Sequence, residues 1–160
     1  MEFIEEGQNF SVIVDYAHTP DGFTQLYEFA KTITPKDNRI ISVFGCAGKR
    51  DKTKRPILGS ISDQYCDMII LTEEDNRNES IRDICLDIQQ GIADTNSVII
   101  ENRYDAIRQA IELANENDTI TILGKGNENY MYGNEAYLGD NNVAIQILHQ
   151  SVVKGEDDEL

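Results

Sequence analysis

Short runs rich in Ile, Val and Leu recur along this chain roughly every 25 to 30 residues, with segments of helical period between them. This alternation limits the fold more than any other feature, because a strand–helix–strand repeat closes as a mainly parallel sheet. The runs are Val12–Val14, Ile40–Phe44, Met68–Leu71, Val98–Ile100 and Ile120–Leu123. They are apolar at nearly every position, the mark of strands buried on both faces, so helices are expected on both sides of the sheet.

The intervening segments carry helix signals. Ile81, Ile84, Cys85, Ile88 and Ile92 recur at three- and four-residue steps behind Ser80, which with Asp83 has the form of a capping box. Ile107, Ala110, Ile111 and Ala114 repeat the spacing behind Asn102, a good cap, and the polar run Asn115 to Asp118 leads into the next strand. Leu26, Phe29, Ala30 and Ile33 predict a helix stopped by Pro35, Pro56 suits the first turn of another through Ile57 and Ile61, and Val143, Ile147 and Leu148 predict a last one. Tyr130 to Leu138, broken by Gly133-Asn134, reads as a short hairpin. The expected fold class is α/β: a three-layer Rossmann-like domain over residues 1–150, with a mainly parallel sheet of about six strands, helices on both faces and a hairpin near the C-terminus. The charge run in 151–160 lacks apolar periodicity and is expected as an acidic, frayed tail.

With 29 Asp plus Glu against 14 Lys plus Arg, the net charge of -15 repels phosphate backbones and anionic membranes, so neither nucleic acid nor a membrane is an expected partner. Three cysteines with no C-x-x-C pair and no zinc-like His spacing are expected as reduced, mostly buried thiols, and no metal site is expected. Without a leader or a bilayer-length apolar run, the expectation is a soluble, intracellular protein.

Parallel α/β sheets bind ligands outside the carboxyl ends of their strands, so the polar residues just after each run are the ones to weigh. Four such places stand out. Asp15-Tyr-Ala-His-Thr-Pro20 puts a carboxylate, an imidazole and a hydroxyl at a strand end, suited to ribose hydroxyls and phosphates; the same residues suit a capped turn in which Asp15 and Thr19 bond backbone, and spacing does not separate the two. Gly45 to Pro56 has two glycines for a tight loop and concentrates Lys49, Arg50, Lys52, Lys54 and Arg55 in seven positions, a local anion site or a basic loop paired with nearby acids. It is not a Walker A loop, whose Gly spacing and Lys-Ser/Thr ending are absent. In Thr72 to Glu79, Arg77 can fork onto a carboxylate, and in Gly124 to Tyr130, Glu128 can receive an ammonium, so together they can hold an amino acid.

In order along the chain, these loops resemble the C-terminal domain of the Mur ligases, and within them the MurE type, which adds the third residue of the peptidoglycan stem peptide. Met1-Glu-Phe-Ile4 is like the family's G-R-M-E opening, Val14-Asp-Tyr-Ala-His-Thr-Pro20 matches D-Y-A-H-x-P, and Phe44-Gly-Cys-Ala-Gly-Lys-Arg-Asp-Lys-Thr-Lys-Arg-Pro56 matches F-G-C-G-G-x-R-D-x-x-K-R-P. The resemblance runs to about Gln150. It implies an ATP-dependent amide ligase in which ATP activates a carboxylate of UDP-N-acetylmuramoyl-L-alanyl-D-glutamate and the amine of an incoming amino acid, diaminopimelate or L-lysine, attacks the acyl phosphate. In the family the P-loop, the Mg2+ ligands and a carbamylated lysine belong to a central domain of the same polypeptide, so no catalytic residue and no turnover are expected of this domain alone.

Position by position, the resemblance implies that Asp15, Tyr16, His18 and Thr19 face the nucleotide and that Arg50 pairs with a carboxylate of the amino acid. The diaminopimelate motif D-N-P-R falls on Glu74-Asp75-Asn76-Arg77, retaining Arg77, losing the proline and shifting the Asn by one; G-K-G-H-E falls on Gly124-Lys125-Gly126-Asn127-Glu128, keeping the glutamate and losing the histidine. Asp75, Asn76, Arg77, Gly124 and Glu128 join Arg50 as the implied amino-acid contacts. Cyanophycin synthetase, which shares D-Y-A-H-x-P, and a non-enzymatic α/β nucleotide-binding module are the alternatives. A receiver-like module is disfavoured because a single Asp15, not an acidic pair, follows the first strand.

Overall fold

A computed structural model of the protein describes residues 1–126, 130–132 and 135–158. The strands β1 (Glu2–Phe3), β2 (Ser11–Asp15), β3 (Ile40–Phe44), β4 (Met68–Leu71), β5 (Asn96–Ile99) and β6 (Thr119–Leu123) form one sheet in the order β1-β2-β6-β3-β4-β5. All neighbours are parallel except β1, which runs antiparallel to β2. Helices α1 (Pro20–Ile33), α2 (Lys54–Tyr65) and α3 (Ile81–Gln89) carry the chain from β2 to β3, β4 and β5, and α4 (Arg103–Leu113) returns it to the gap between β2 and β3, where β6 inserts.

That single reversal of direction explains the three layers. Crossovers between parallel strands are right-handed, so helices on the outward path cover one face and the returning α4 must cover the other. The apolar clusters follow this division. Phe23, Leu26, Tyr27, Leu58 and Ile84 pack with Ile13 and Phe44 on one face, and Ala106, Ile107, Ala110, Val143 and Ile147 pack with Val12, Ile41 and Ile120 on the other. Val143 and Ile147 belong to α5 (Asp140–Asp158), which lies beside α4. Between α1, α2, β3 and β6, the buried Tyr27 hydroxyl lies 2.7 Å from Ser42 Oγ and 2.9 Å from Ser62 Oγ, and Thr121 donates to Ser42 at 2.9 Å, so the polar atoms at this junction satisfy one another.

The expected helices and all five expected strands are present. Thr19, Ser80 and Asn102 cap α1, α3 and α4, their side chains accepting from the amides of Gly22, Asp83 and Asp105. The hairpin forms from β7 (Tyr130–Tyr132) and β8 (Glu135–Tyr137), paired antiparallel; its expected turn residues Gly133 and Asn134 lie outside the described residues. Two expectations need correction. The fourth strand is not buried on both faces: β5 is an edge strand with alternating exposure, and Val98 is exposed because among the described residues no strand lies beyond it. α5 also continues through Asp158, past the expected start of the tail at residue 151.

Candidate functional site

Because β6 lies between β2 and β3 but is followed by chain on the α4 and α5 face, neighbouring connections part at the carboxyl ends of these strands and leave a crevice. A cleft of about 220 Å³ occupies it. His18 reaches it from the loop after β2, and Arg50 and Lys54 from the segment after β3. Glu74, Asp75 and Arg77 line it from the loop after β4, and Gly124 and Lys125 from the end of β6. Four cations and two carboxylates thus converge on one hollow of a strongly acidic protein. A larger trough of about 390 Å³ lies at the opposite, amino ends of the strands beside Lys31, Lys36 and Asp67, away from all four loops.

The loops after β3 and β4 are stitched backbone to backbone. The Gly48 amide donates to Asp75 O at 3.0 Å, and a Cβ on Gly48 would stand 1.8 Å from Asn76 O, so only glycine permits the approach. Gly45 meets Thr72 O in the same way, at 2.0 Å. Lys49, Asp75, Arg77 and Asn78 have φ values of 56°, 49°, 48° and 65°, the left-handed region, at an expense of about 1 kcal/mol or more each. Strain of this kind persists only where surrounding contacts hold it.

Two buried arginines do much of the holding. Arg55, fully buried, donates to Glu79 at 2.7 and 3.1 Å, to Asp87 at 3.0 Å and to Ala47 O at 3.3 Å. It is therefore not part of an anion site, and Lys52, 3.8 Å from Glu79, leans the same way, so this part of the basic run is paired with acids. Arg103 is also fully buried, forms a fork with Asp140 at 2.8 Å on each oxygen, and donates to Glu73 O and Leu123 O at 3.0 and 2.9 Å. It ties the ends of β4 and β6 to the start of α5 directly beneath the cleft. The sequence carries a weak signal for both: each sits in the first turn of a helix, where the macrodipole disfavours a cation unless an acid answers it.

Arg50 and Arg77 are held less tightly. Arg50 makes no ion pair among the described residues. Among the described residues Arg77 forms an ion pair with Asp75 alone, at 3.1 Å with both side chains 41% exposed. Such an exposed pair contributes about 0 to 1 kcal/mol, so Arg77 gives up little by changing partner. Lys54 Nζ donates to His18 O at 3.1 Å, joining the first loop to the second.

Burial pushes the Glu74 carboxyl up to about 7, against the opposing pull of Arg103, Lys125 and Lys54. An acid raised on folding binds its proton more tightly in the folded state, so its effect on stability falls as pH rises from about 4.5 to 7. We expect a carbon-detected NMR titration of this carboxyl to show a midpoint near 7, and Glu74→Gln to flatten the pH dependence of stability across that window. A midpoint near 4.5 would show that Glu74 is fully hydrated and does not floor the cleft.

The remaining expected site residues divide. Asp15 Oδ1 accepts from the Ala17 amide at 2.8 Å and Thr19 caps α1, the turn-forming roles that the sequence left open, and neither lines the cleft. Tyr16 is half exposed, its ring packed against Gly126. Asn76 turns its amide to Glu79 O at 2.8 Å, away from the cleft. Glu128 lies outside the described residues. Lys54, part of the basic run read as a candidate anion site, lines the cleft, as do Glu74 and Lys125, which were not among the expected contacts although each closely follows an apolar run.

Cys46, Cys66 and Cys85 are free and buried, and burial pushes the Cys46 and Cys85 thiols up to about 12, which leaves them unreactive. Among the described residues no cluster of three His, Cys, Asp or Glu could hold a metal, and no helix is long and apolar enough to cross a membrane.

Comparison with known proteins agrees with this architecture. Residues 1–126 match the Mur ligase, glutamate ligase domain. The chain is 44% identical over 135 residues to UDP-N-acetylmuramoyl-L-alanyl-D-glutamate--2,6-diaminopimelate ligase 1 of Clostridium acetobutylicum, covering 84% of this chain and 27% of that protein. It is 42% identical over 165 residues to a UDP-N-acetylmuramyl-tripeptide synthetase of Borrelia garinii subsp. bavariensis, covering 99% of this chain and 32% of the relative. A solved UDP-N-acetylmuramoyl-L-alanyl-D-glutamate--2,6-diaminopimelate ligase superposes with a TM-score of 0.84 at 31% identity, over 96% of this chain and 31% of its own. The chain thus spans about a third or less of the proteins it matches. By its sheet order, its crevice at the strand ends and these matches, it belongs to the Mur ligase family, as the C-terminal, glutamate ligase domain of the MurE type.

Proposed function

We propose that this chain is the part of an ATP-dependent ligase that receives the amino acid added to UDP-N-acetylmuramoyl-L-alanyl-D-glutamate, and that this amino acid is 2,6-diaminopimelate. The observation that carries the choice is the charge set of the cleft: Arg50 and Arg77 stand on two adjoining loops with Glu74 and Asp75 beside them. Diaminopimelate offers two carboxylates and two ammonium groups, one of each at either end. Two guanidinium groups match its carboxylates and the acids match its amines. L-Lysine has no distal carboxylate, and binding it would leave a guanidinium facing an ammonium. Several relatives, that of Clostridium acetobutylicum among them, are named as 2,6-diaminopimelate ligases, which supports the same choice.

In this reading Asp15, Tyr16, His18 and Thr19 border the nucleotide, with His18 at the junction of the ATP and amino-acid regions. The UDP-linked dipeptide, the P-loop and the Mg2+ that accompanies ATP are held by other domains of the polypeptide, and the reaction takes place in the cytoplasm. Gly124 and Glu128 complete the amino-acid contacts. The residues of this chain bind and orient the amine, and closure over the other domains excludes water from the acyl phosphate.

The test is a steady-state assay of the ligase polypeptide carrying this domain, with meso-diaminopimelate or L-lysine as acceptor and ADP release as the readout. We expect kcat/KM for diaminopimelate to exceed that for lysine at least a hundredfold, because a site built for a polar group rejects analogues lacking it strongly. Equal or better use of lysine would overturn the substrate assignment.

A further inference from the structure

The buried side of the two cleft loops is organised around one carboxylate that does not line the cleft. Glu79 accepts from Arg55 Nη1 at 2.7 Å and Nη2 at 3.1 Å, and from the backbone amide of Lys49 at 3.0 Å. Its own backbone is tied to Asn76, the Glu79 amide donating to Asn76 O at 2.8 Å and Asn76 Nδ2 donating to Glu79 O at 2.8 Å. A residue of the β4 loop therefore holds the residue immediately before Arg50 in the β3 loop, and closes the turn that presents Asp75 to Arg77. The residues so held, Lys49, Asp75, Arg77 and Asn78, are four of the five non-glycine residues with positive φ among the described residues. Backbone in this conformation reverts unless its surroundings fix it. Arg50 has no ion pair of its own among the described residues, so its direction depends on the Lys49 backbone. The Arg55 fork holds the Glu79 carboxyl down to about 2, so the clamp stays charged at any physiological pH.

We propose that Glu79 is a positioning residue for amino-acid recognition: its carboxylate locks the β3 and β4 loops together at the spacing in which Arg50 and Arg77 both meet a two-carboxylate amino acid. The proposal rests on the amino-acid assignment of the cleft. It makes a distinction that a purely structural role does not. If Glu79 only stabilised the fold, its loss would lower the melting temperature without favouring one substrate over another. If it sets the Arg50–Arg77 spacing, its loss acts on the amino acid alone.

Glu79→Gln keeps the shape and leaves Arg55 bonded to Asp87 and Ala47 O, so the fold survives. It is compared with Arg50→Ala in the ligase polypeptide carrying this domain, varying meso-diaminopimelate and ATP separately, while hydrogen exchange of the Lys49 amide reports on the clamp. The expected result for Glu79→Gln is a rise of about tenfold or more in KM for diaminopimelate, an ATP KM within about twofold, and faster Lys49 exchange. If Arg50→Ala raises the diaminopimelate KM and Glu79→Gln does not, the clamp is refuted and the cleft assignment stands. If Glu79→Gln lowers stability and affects both substrates alike, it is a structural residue and the proposal fails. If neither variant changes the diaminopimelate KM, the cleft assignment itself falls and the proposal with it.

Discussion

Asp140→Ala is expected to destabilise the domain by about 3 to 5 kcal/mol, the usual penalty for stranding one member of a buried ion pair. For a domain of this size that corresponds to a fall in Tm of roughly 6 to 20 °C. Asp140 is fully buried at the start of α5 and takes both arms of the Arg103 fork, with the Tyr137 hydroxyl donating to the same carboxylate. Arg103, also fully buried, keeps its charge when the partner is removed, and the carbonyls of Glu73 and Leu123 provide dipoles but no counter-charge. Thermal or urea unfolding of the variant against the parent measures the loss. A change below about 1 kcal/mol would mean that water reaches Arg103 and that the ends of β4 and β6 are not locked beneath the cleft.

Arg50→Ala in the complete ligase is expected to lower kcat/KM for the amino acid roughly ten- to more than a hundredfold while leaving the ATP constant nearly unchanged. A guanidinium on a ligand carboxylate makes charge-assisted hydrogen bonds of about 1.5 to 3 kcal/mol, and each 1.4 kcal/mol is a factor of ten. Arg50 has no competing ion pair among the described residues, so little is given up when it turns to the ligand. Varying each substrate in turn separates the outcomes. An ATP constant that moves first would assign Arg50 to the phosphates instead, and two unchanged constants would make it a solvated loop charge.

The architecture was legible because it rests on local signals. Apolar runs at Ile40–Phe44 and Ile120–Leu123 mark strands covered on both faces, and Thr19, Ser80 and Asn102 mark helix starts, since each satisfies amides within three residues. The four loops carrying the cleft were also legible, because ligands gather where parallel strands end. Within those loops the family resemblance pointed to Arg50, Asp75, Arg77 and Gly124, which the fold brings to one hollow.

Which basic residues are paired inside the fold was only faintly marked in the chain, by the first-turn positions of Arg55 and Arg103. Arg50 and Arg55 look alike along the sequence, yet one lines the cleft and the other is consumed by Glu79 and Asp87, 24 and 32 residues away. The first-turn position of Arg103 hints at an acidic partner without naming it; that partner, Asp140, lies 37 residues on and meets it only in the folded chain. The edge position of β5 was hidden for a related reason, since strand order is not written in a strand's own residues. Sequence alone determined the elements and the loops that could carry chemistry, because capping, periodicity and chain reversal are decided within a few residues. Tertiary structure decided which charges are buried in pairs and which line the cleft, because that depends on partners brought together only when the sheet closes.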